Sequence, residues 1–337
     1  MVGLVVVQAT GKERGGLVMS LLGAICRRYE APIRQRLMQP DAWRWEYDLF
    51  LPWLARQPWP VFDALAHLRA RLHACLRHHW KEFLPFPNAD YWSRLHHGAQ
   101  EIARFYQRSE EEIIGAHLHA ETVNTALVEC MTRLQDFAME YVGAVETLDD
   151  PAPRLWLFAH IDATIALFPQ VAAKRRVPVD AVMTQAVIDP ILPQPIVRFF
   201  NRRAQRFAAY TGGKVFLAER HGRAIFQALA QRRDMFLALD MPATPASRFA
   251  LHLPLFGARR AVAIGVLPWA QRYGYKVQTV SVHYLGRGCA RVVLGELVDA
   301  RNLDQLQSEL NTMAARIESM PEKWELYEQL PAYPLVP

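Results

Sequence analysis

Apolar residues recur at two different periods along this chain, and the change from one to the other divides it. Early on, Leu65, Leu68, Leu72 and Leu76 fall on one face of a 3.6-residue helix with Arg69, Arg71 and Arg77 among them, which predicts an amphipathic helix. Residues 88–150 continue as helix, with Ser109 as an N-cap and Glu110, Glu111 and Glu112 in the first turn, where the positive end of the helix dipole favours acids. The sequence Asp149-Asp-Pro-Ala-Pro153 then breaks the pattern. Beyond it the apolar runs are short and continuous at 154–159, 179–182 and 235–239, as expected of buried parallel strands, and 277–283 alternates. Helical segments at 163–174, 196–210 and 223–231 separate the first three, and a run after His252-Leu-Pro-Leu-Phe-Gly257 reads as helical through Pro268. Strand alternating with helix predicts an α/β fold: a mixed central sheet flanked by helices, with an N-terminal helical region. The expected organisation is a leader over 1–42, a helical, membrane-facing region over 43–150 and an α/β core over 151–337.

Nothing in the chain reaches the roughly 18 consecutive apolar residues of a spanning helix. The run at 17–26 falls short and lacks the basic lead and cleavage site of a signal peptide, so a soluble or peripheral protein is expected. Trp43, Trp45, Trp53 and Trp59 allow two readings, an aromatic belt at a membrane interface or internal packing against the helices. The net charge of +6 suits nucleic acid, an anionic membrane face or an acidic carrier protein, and the absence of any nucleic-acid-binding module leaves the last two. The groups Lys174-Arg-Arg176, Arg202-Arg203 and Arg232-Arg233 carry much of that charge, as solvated surface or as a lipid-facing one. The four cysteines have no metal or disulfide spacing, and His78-His79 and His96-His97 sit in predicted helices without paired carboxylates, so no metal or other cofactor is expected. Gly11-Lys-Glu-Arg-Gly-Gly16 lacks the order of a phosphate loop, and no nucleophile elbow, dinucleotide loop or zinc-protease pair occurs.

His160 follows the first core strand and precedes a helix, the place where open α/β sheets hold ligands and reacting groups. Asp162 either turns back onto His160 or caps the following helix. Asp240 ends the strand at 235–239 and lines a cleft, with Thr244 and Ser247 offering hydroxyls from the next loop.

The strand before His160, the block from Asp240 to Phe256-Gly257 and the closing Met320-Pro-Glu-Lys-Trp-Glu-Leu-Tyr327 stand in an order that resembles the bacterial lipid A biosynthesis acyltransferases, within the lysophospholipid acyltransferase superfamily. The likeness spans most of the chain from Trp43 to Pro331. It implies transfer of a fatty acyl group from an acyl-carrier-protein or CoA thioester to a hydroxyl of a glycolipid or related lipid acceptor, at the cytoplasmic face of the inner membrane. It implies His160 as general base, and it implies anion contacts from Arg198, Arg202 and Arg220. The family carries an acid on the fifth residue after the histidine, whereas this chain has Ile165 there, and Asp162 stands in as the expected partner. That departure also admits a non-catalytic relative that binds lipid or acyl carrier within a biosynthetic complex.

Overall fold

Continuous apolar strands need cover on both faces, and the computed structural model, which describes residues 39–84, 90–243 and 250–336, provides it. Helix α1 (Pro40–Arg44) passes through a π turn (Trp45–Phe50) into α2 (Leu51–Leu54) and is followed by α3 (Trp59–Leu76), α4 (Tyr91–Tyr106) and α5 (Glu110–Glu129). Strand β1 (Ala138–Gly143) precedes the alternating part: β2 (Arg154–Phe158), α6 (Thr164–Arg175), β3 (Val179–Met183), α7 (Gln194–Thr211), β4 (Gly212–Leu217), α8 (Gly222–Ala230) and β5 (Asp234–Ala238). A hairpin β6 (Ala250–Leu255) and β7 (Ala258–Ala263), α9 (Leu267–Tyr273), β8 (Lys276–Gly286), β9 (Cys289–Leu294), β10 (Val298–Asp299) and α10 (Leu303–Ser319) complete the described elements, with short 3-10 turns at Trp80–Phe83, Pro321–Lys323 and Tyr327–Ala332. Residues 1–38 of the expected leader, with the apolar run at 17–26, lie outside the described residues.

The main sheet runs β1-β9-β8-β2-β5-β3-β4, parallel except between β8 and β9, with β10 antiparallel on β8. It is therefore the mixed α/β sheet that the alternating pattern predicts. All of β2 is buried, and its side chains divide by the two-residue period of a strand. Leu155, Leu157 and Ala159 pack into one core with α4, α8 and α10, and Trp156 and Phe158 into another with α5, α6 and α7. There Phe158 and Phe168 stack on Phe236 at 3.9 and 3.8 Å, contacts that contribute about 1 kcal/mol each beyond their buried area.

Two stretches read as helix form strands. Residues 138–143, read as helix, form the edge strand β1 paired parallel to β9. The run after Gly257, also read as helix, begins as β7, because Phe256 and Gly257 take φ of 52° and 76° and close a two-residue hairpin. Ser109 caps α5 as its sequence implies, in a box with Glu112.

The tryptophans divide. Trp43 is buried with its ring 4.3 Å from that of His78, while Trp45, Leu49 and Trp53, spaced every fourth residue, are 58%, 60% and 48% exposed. Among the described residues no helix is long and apolar enough to cross a membrane.

Gly98 in α4 holds the C-terminal segment close. A Cβ there would lie 2.2 Å from the Tyr327 carbonyl oxygen. Helix propensity favours alanine over glycine by about 1 kcal/mol, but a backbone oxygen cannot retreat as a side chain does. Gly98→Ala should therefore lose about 1–3 kcal/mol in denaturant unfolding; unchanged or raised stability would refute the close approach.

Candidate functional site

Register builds the centre of the site. Strands β2 and β5 are parallel neighbours with Phe158 opposite Ala238. Two residues beyond each, on the same sheet edge, the chain places His160 and Asp240. The ladder is extended by the Leu239 N–H on the Phe158 carbonyl at 2.7 Å. The Asp240 carboxylate then accepts from His160 twice, from the backbone N–H at 2.7 Å and from ring Nδ1 at 2.8 Å. Trp324 Nε1 donates to the same carboxylate at 2.8 Å, and the Tyr333 hydroxyl donates to the Asp240 carbonyl. Asp240 is fully buried.

A carboxylate only accepts, so Nδ1 carries the proton and Nε2 is the basic nitrogen of the neutral ring. Burial alone would lower the His160 pKa, but the charge and hydrogen bond of Asp240, with the charge of Glu325, outweigh it and raise the pKa.

Asp162 is not the partner of His160, which corrects the sequence expectation. It adopts a left-handed φ of 49° and points away, its carboxylate 2.6 Å from Lys323 Nζ and 3.6 Å from His283 Nδ1. Nor does it cap α6, whose N-cap position is Ala163 with no side-chain bond. The loop is laced instead to the C-terminal segment: Asp162 N–H donates to the Lys323 carbonyl at 2.9 Å, and Glu325 N–H to the His160 carbonyl at 2.7 Å.

His160 lies where two cavities meet. One, of about 360 Å³, is walled by Phe158, Val182, Phe207, Val215 and Phe236. The other, of about 320 Å³, has apolar walls from Trp80, Val128, Phe199, Phe200 and Leu326 and is the more polar of the two because Lys81, Glu121, Asn124, Glu325 and Glu328 also line it. Ile165, Thr184, Val187, Arg203 and Met241 border both. Ile165, at the position where the resemblance calls for an acid, is thus a wall residue.

Of the basic residues, Arg198 pairs with Asp48, and Arg202 with Asp48 at 3.1 Å and Glu129 at 3.0 Å, fastening α7 to the N-terminal helices. Arg220 donates to Gln185 Oε1 at 2.7 Å. None of the three borders either cavity, which corrects their assignment as anion contacts. Arg203 does border them. Its guanidinium lies 4.8 Å over the Phe200 ring and has no salt bridge among the described residues, and enclosure pushes its pKa down to about 10, still charged at neutral pH, with Glu325 opposing the fall.

The floor of the second cavity is a charged network. Lys81 Nζ donates to Glu121 at 2.9 Å, to Glu328 at 3.1 Å and to the Glu325 carbonyl at 2.5 Å. His79 and His117 approach the other Glu121 oxygen at 3.1 and 3.2 Å. Burial opposes the Glu121 charge, but His79 and Lys81 outweigh it and hold the carboxyl well below the usual range. Glu325 goes the other way, pushed up to about 7 by burial and the charge of Glu121 despite His160 nearby.

These residues come from distant segments and carry no local motif. A paired carboxylate at His78 and His79, not visible in sequence, also arises from the fold: Glu46, His73 and His78 bring their polar atoms within 4.8 Å of one another. Arg69 Nε already donates to that Glu46 carboxylate at 2.8 Å. Thr244 and Ser247 lie outside the described residues.

No protein-family model matches this chain, and no curated protein does. Among solved structures it is similar to the 1-acyl-sn-glycerophosphate (LPA) acyltransferase PlsC from Thermotoga maritima, at 13% identity and a TM-score of 0.35, over 79% of this chain and 98% of that one.

Proposed function

We propose that the protein is an O-acyltransferase that moves a fatty acyl group from an acyl-carrier-protein or CoA thioester to a hydroxyl of a glycolipid or related lipid acceptor, with His160 as base. The observation that carries this reading is the His160–Asp240 pair at the meeting point of an apolar and a polar cavity. The acyl chain occupies the apolar cavity and the acceptor the polar one. Nε2 of His160 takes the acceptor proton as its oxygen attacks the thioester carbonyl. Asp240 holds the ring and stabilises its charged form. The tetrahedral intermediate collapses by breaking the C–S bond, and the proton on Nε2 passes to the departing thiolate, giving ester and thiol. Arg203 is the cation placed to meet the transient oxyanion. Arg203→Met should lower kcat about 100-fold with the fold intact by circular dichroism; a wild-type rate would remove it from the reaction.

The rival reading, a non-catalytic relative that binds lipid or carrier, drew its support from the missing acid after His160. Asp240 takes that support away. The test incubates the protein with labelled acyl-carrier and acyl-CoA thioesters and a lipid extract, beside His160→Ala. Label should reach lipid with wild type only; transfer by both proteins, or by neither, would defeat the proposal.

The same reading has the protein bind the cytoplasmic face of the inner membrane through the exposed Trp45, Leu49 and Trp53. Co-sedimentation with anionic vesicles should weaken at high salt and fall in Trp45→Ser/Trp53→Ser. No sedimentation by wild type under any condition would refute it.

A further inference from the structure

The polar cavity is poor in cations that a ligand could use. Lys81, its one lysine, spends its three N–H bonds on Glu121, Glu328 and the Glu325 carbonyl. The carboxyl groups of Glu121, Glu325 and Glu328 line the same space. A phosphate entering here would shed its water and face up to three carboxylates with no free ammonium to meet it. Arg203, the remaining cation, borders both cavities, and on the acyltransferase reading it is committed to the oxyanion of the thioester carbonyl.

A hydroxyl meets a different reception. The Asn124 amide lies 3.4 Å from Glu325 Oε1, so an amide and a carboxyl converge on the wall beside His160. The Glu325 segment is fixed there by its own N–H on the His160 carbonyl.

On the acyltransferase reading above, we infer that the polar cavity takes an uncharged, hydroxyl-bearing acceptor end held by Glu325 and Asn124, and turns away an acceptor with a phosphate at that end. Glu325 is then a specificity-determining residue of the acceptor site. Its surroundings are Glu121 and Asn124 from α5, Arg203 from α7, Lys81 from the Trp80–Phe83 turn, Glu328 from its own segment, and His160. With its carboxyl pushed up to about 7, Glu325 sheds its proton as pH rises through neutrality, so rejection of phosphate strengthens from pH 6 to pH 8.

The experiment is equilibrium binding of radiolabelled 1-monoacylglycerol and of lysophosphatidic acid with the same acyl chain, at pH 6 and pH 8, to wild type, Glu325→Gln, Glu325→Lys and His160→Ala. Wild type should hold the neutral lipid at least about tenfold more tightly, with a preference that grows with pH. Glu325→Gln should keep the neutral lipid, narrow the preference and lose the part of the pH dependence that neither the lipid phosphate nor His160 produces. Glu325→Lys should reverse the preference. Equal or tighter binding of lysophosphatidic acid by wild type, or no binding of either lipid, would overturn the inference. His160→Ala separates the two proposals. A preference that holds in both proteins without transfer by wild type would defeat the reaction and leave the selectivity, whereas His160-dependent transfer onto lysophosphatidic acid would do the reverse.

Discussion

Asp240→Asn should reduce acyl transfer about 10³- to 10⁴-fold while leaving the protein folded. The carboxylate now accepts the Nδ1 proton of His160 at 2.8 Å and leaves Nε2 bare. An asparagine amide can turn its NH2 group toward Nδ1, and the ring then carries its proton on Nε2, where it cannot take one from a hydroxyl. The pH profile adds a readout that misfolding would not imitate. A base must be neutral to act, so the acid limb of kcat/KM follows the His160 pKa in the free enzyme. Burial lowers that pKa and Asp240 raises it, with Asp240 and Glu325 prevailing in wild type. Removing the aspartate charge leaves burial less opposed, so the limb should move to lower pH even as the plateau falls. His160→Ala and the double variant should each lose about as much as Asp240→Asn alone, because the two residues act as one unit. A near-normal rate in Asp240→Asn, or a limb that moves to higher pH, would sink the His160–Asp240 mechanism.

That pair shows how far the sequence could be read. The apolar runs marked β2, β3 and β5 because burial on both faces leaves an unbroken signature, alternation marked β8, and His160 and Asp240 each stood out as a polar residue ending an apolar run. Their pairing was not legible. It depends on β2 and β5 being neighbours with Phe158 opposite Ala238, a matter of strand order and register that no local window contains. Asp162 drew attention by proximity in sequence, yet its left-handed backbone and its bond to Lys323 turn it elsewhere. Arg198 and Arg202 lie on the same helix as Arg203, but only Arg203 reaches the cavities. β1 and β7 were missed for a related reason. Pairing partners and two left-handed residues made them strands, against a background that reads as helix.

The second large effect is on stability and centres on Lys81. Only 4% exposed, it joins the Trp80–Phe83 turn to Glu121 of α5 and to Glu328 of the C-terminal turn. Lys81→Met fits the space but leaves two buried carboxylates short of a cation, and breaking a buried pair from one side costs about 3–5 kcal/mol. The loss should depend on pH in a stated direction. Glu121 is held below its ordinary pKa in wild type, so its contribution is present above the unfolded value and is lost as pH falls through the folded one. Without Lys81 the Glu121 carboxyl takes up a proton more readily, so the variant should lose most against wild type at pH 8 and less at pH 5. Denaturant unfolding at both values measures this. Lys81→Met/Glu328→Leu should recover part of the loss, since removing both members relieves the unpaired charge. If the single variant is as stable as wild type at pH 8, or if the second substitution deepens the loss, the network is not the floor that holds the polar cavity in shape.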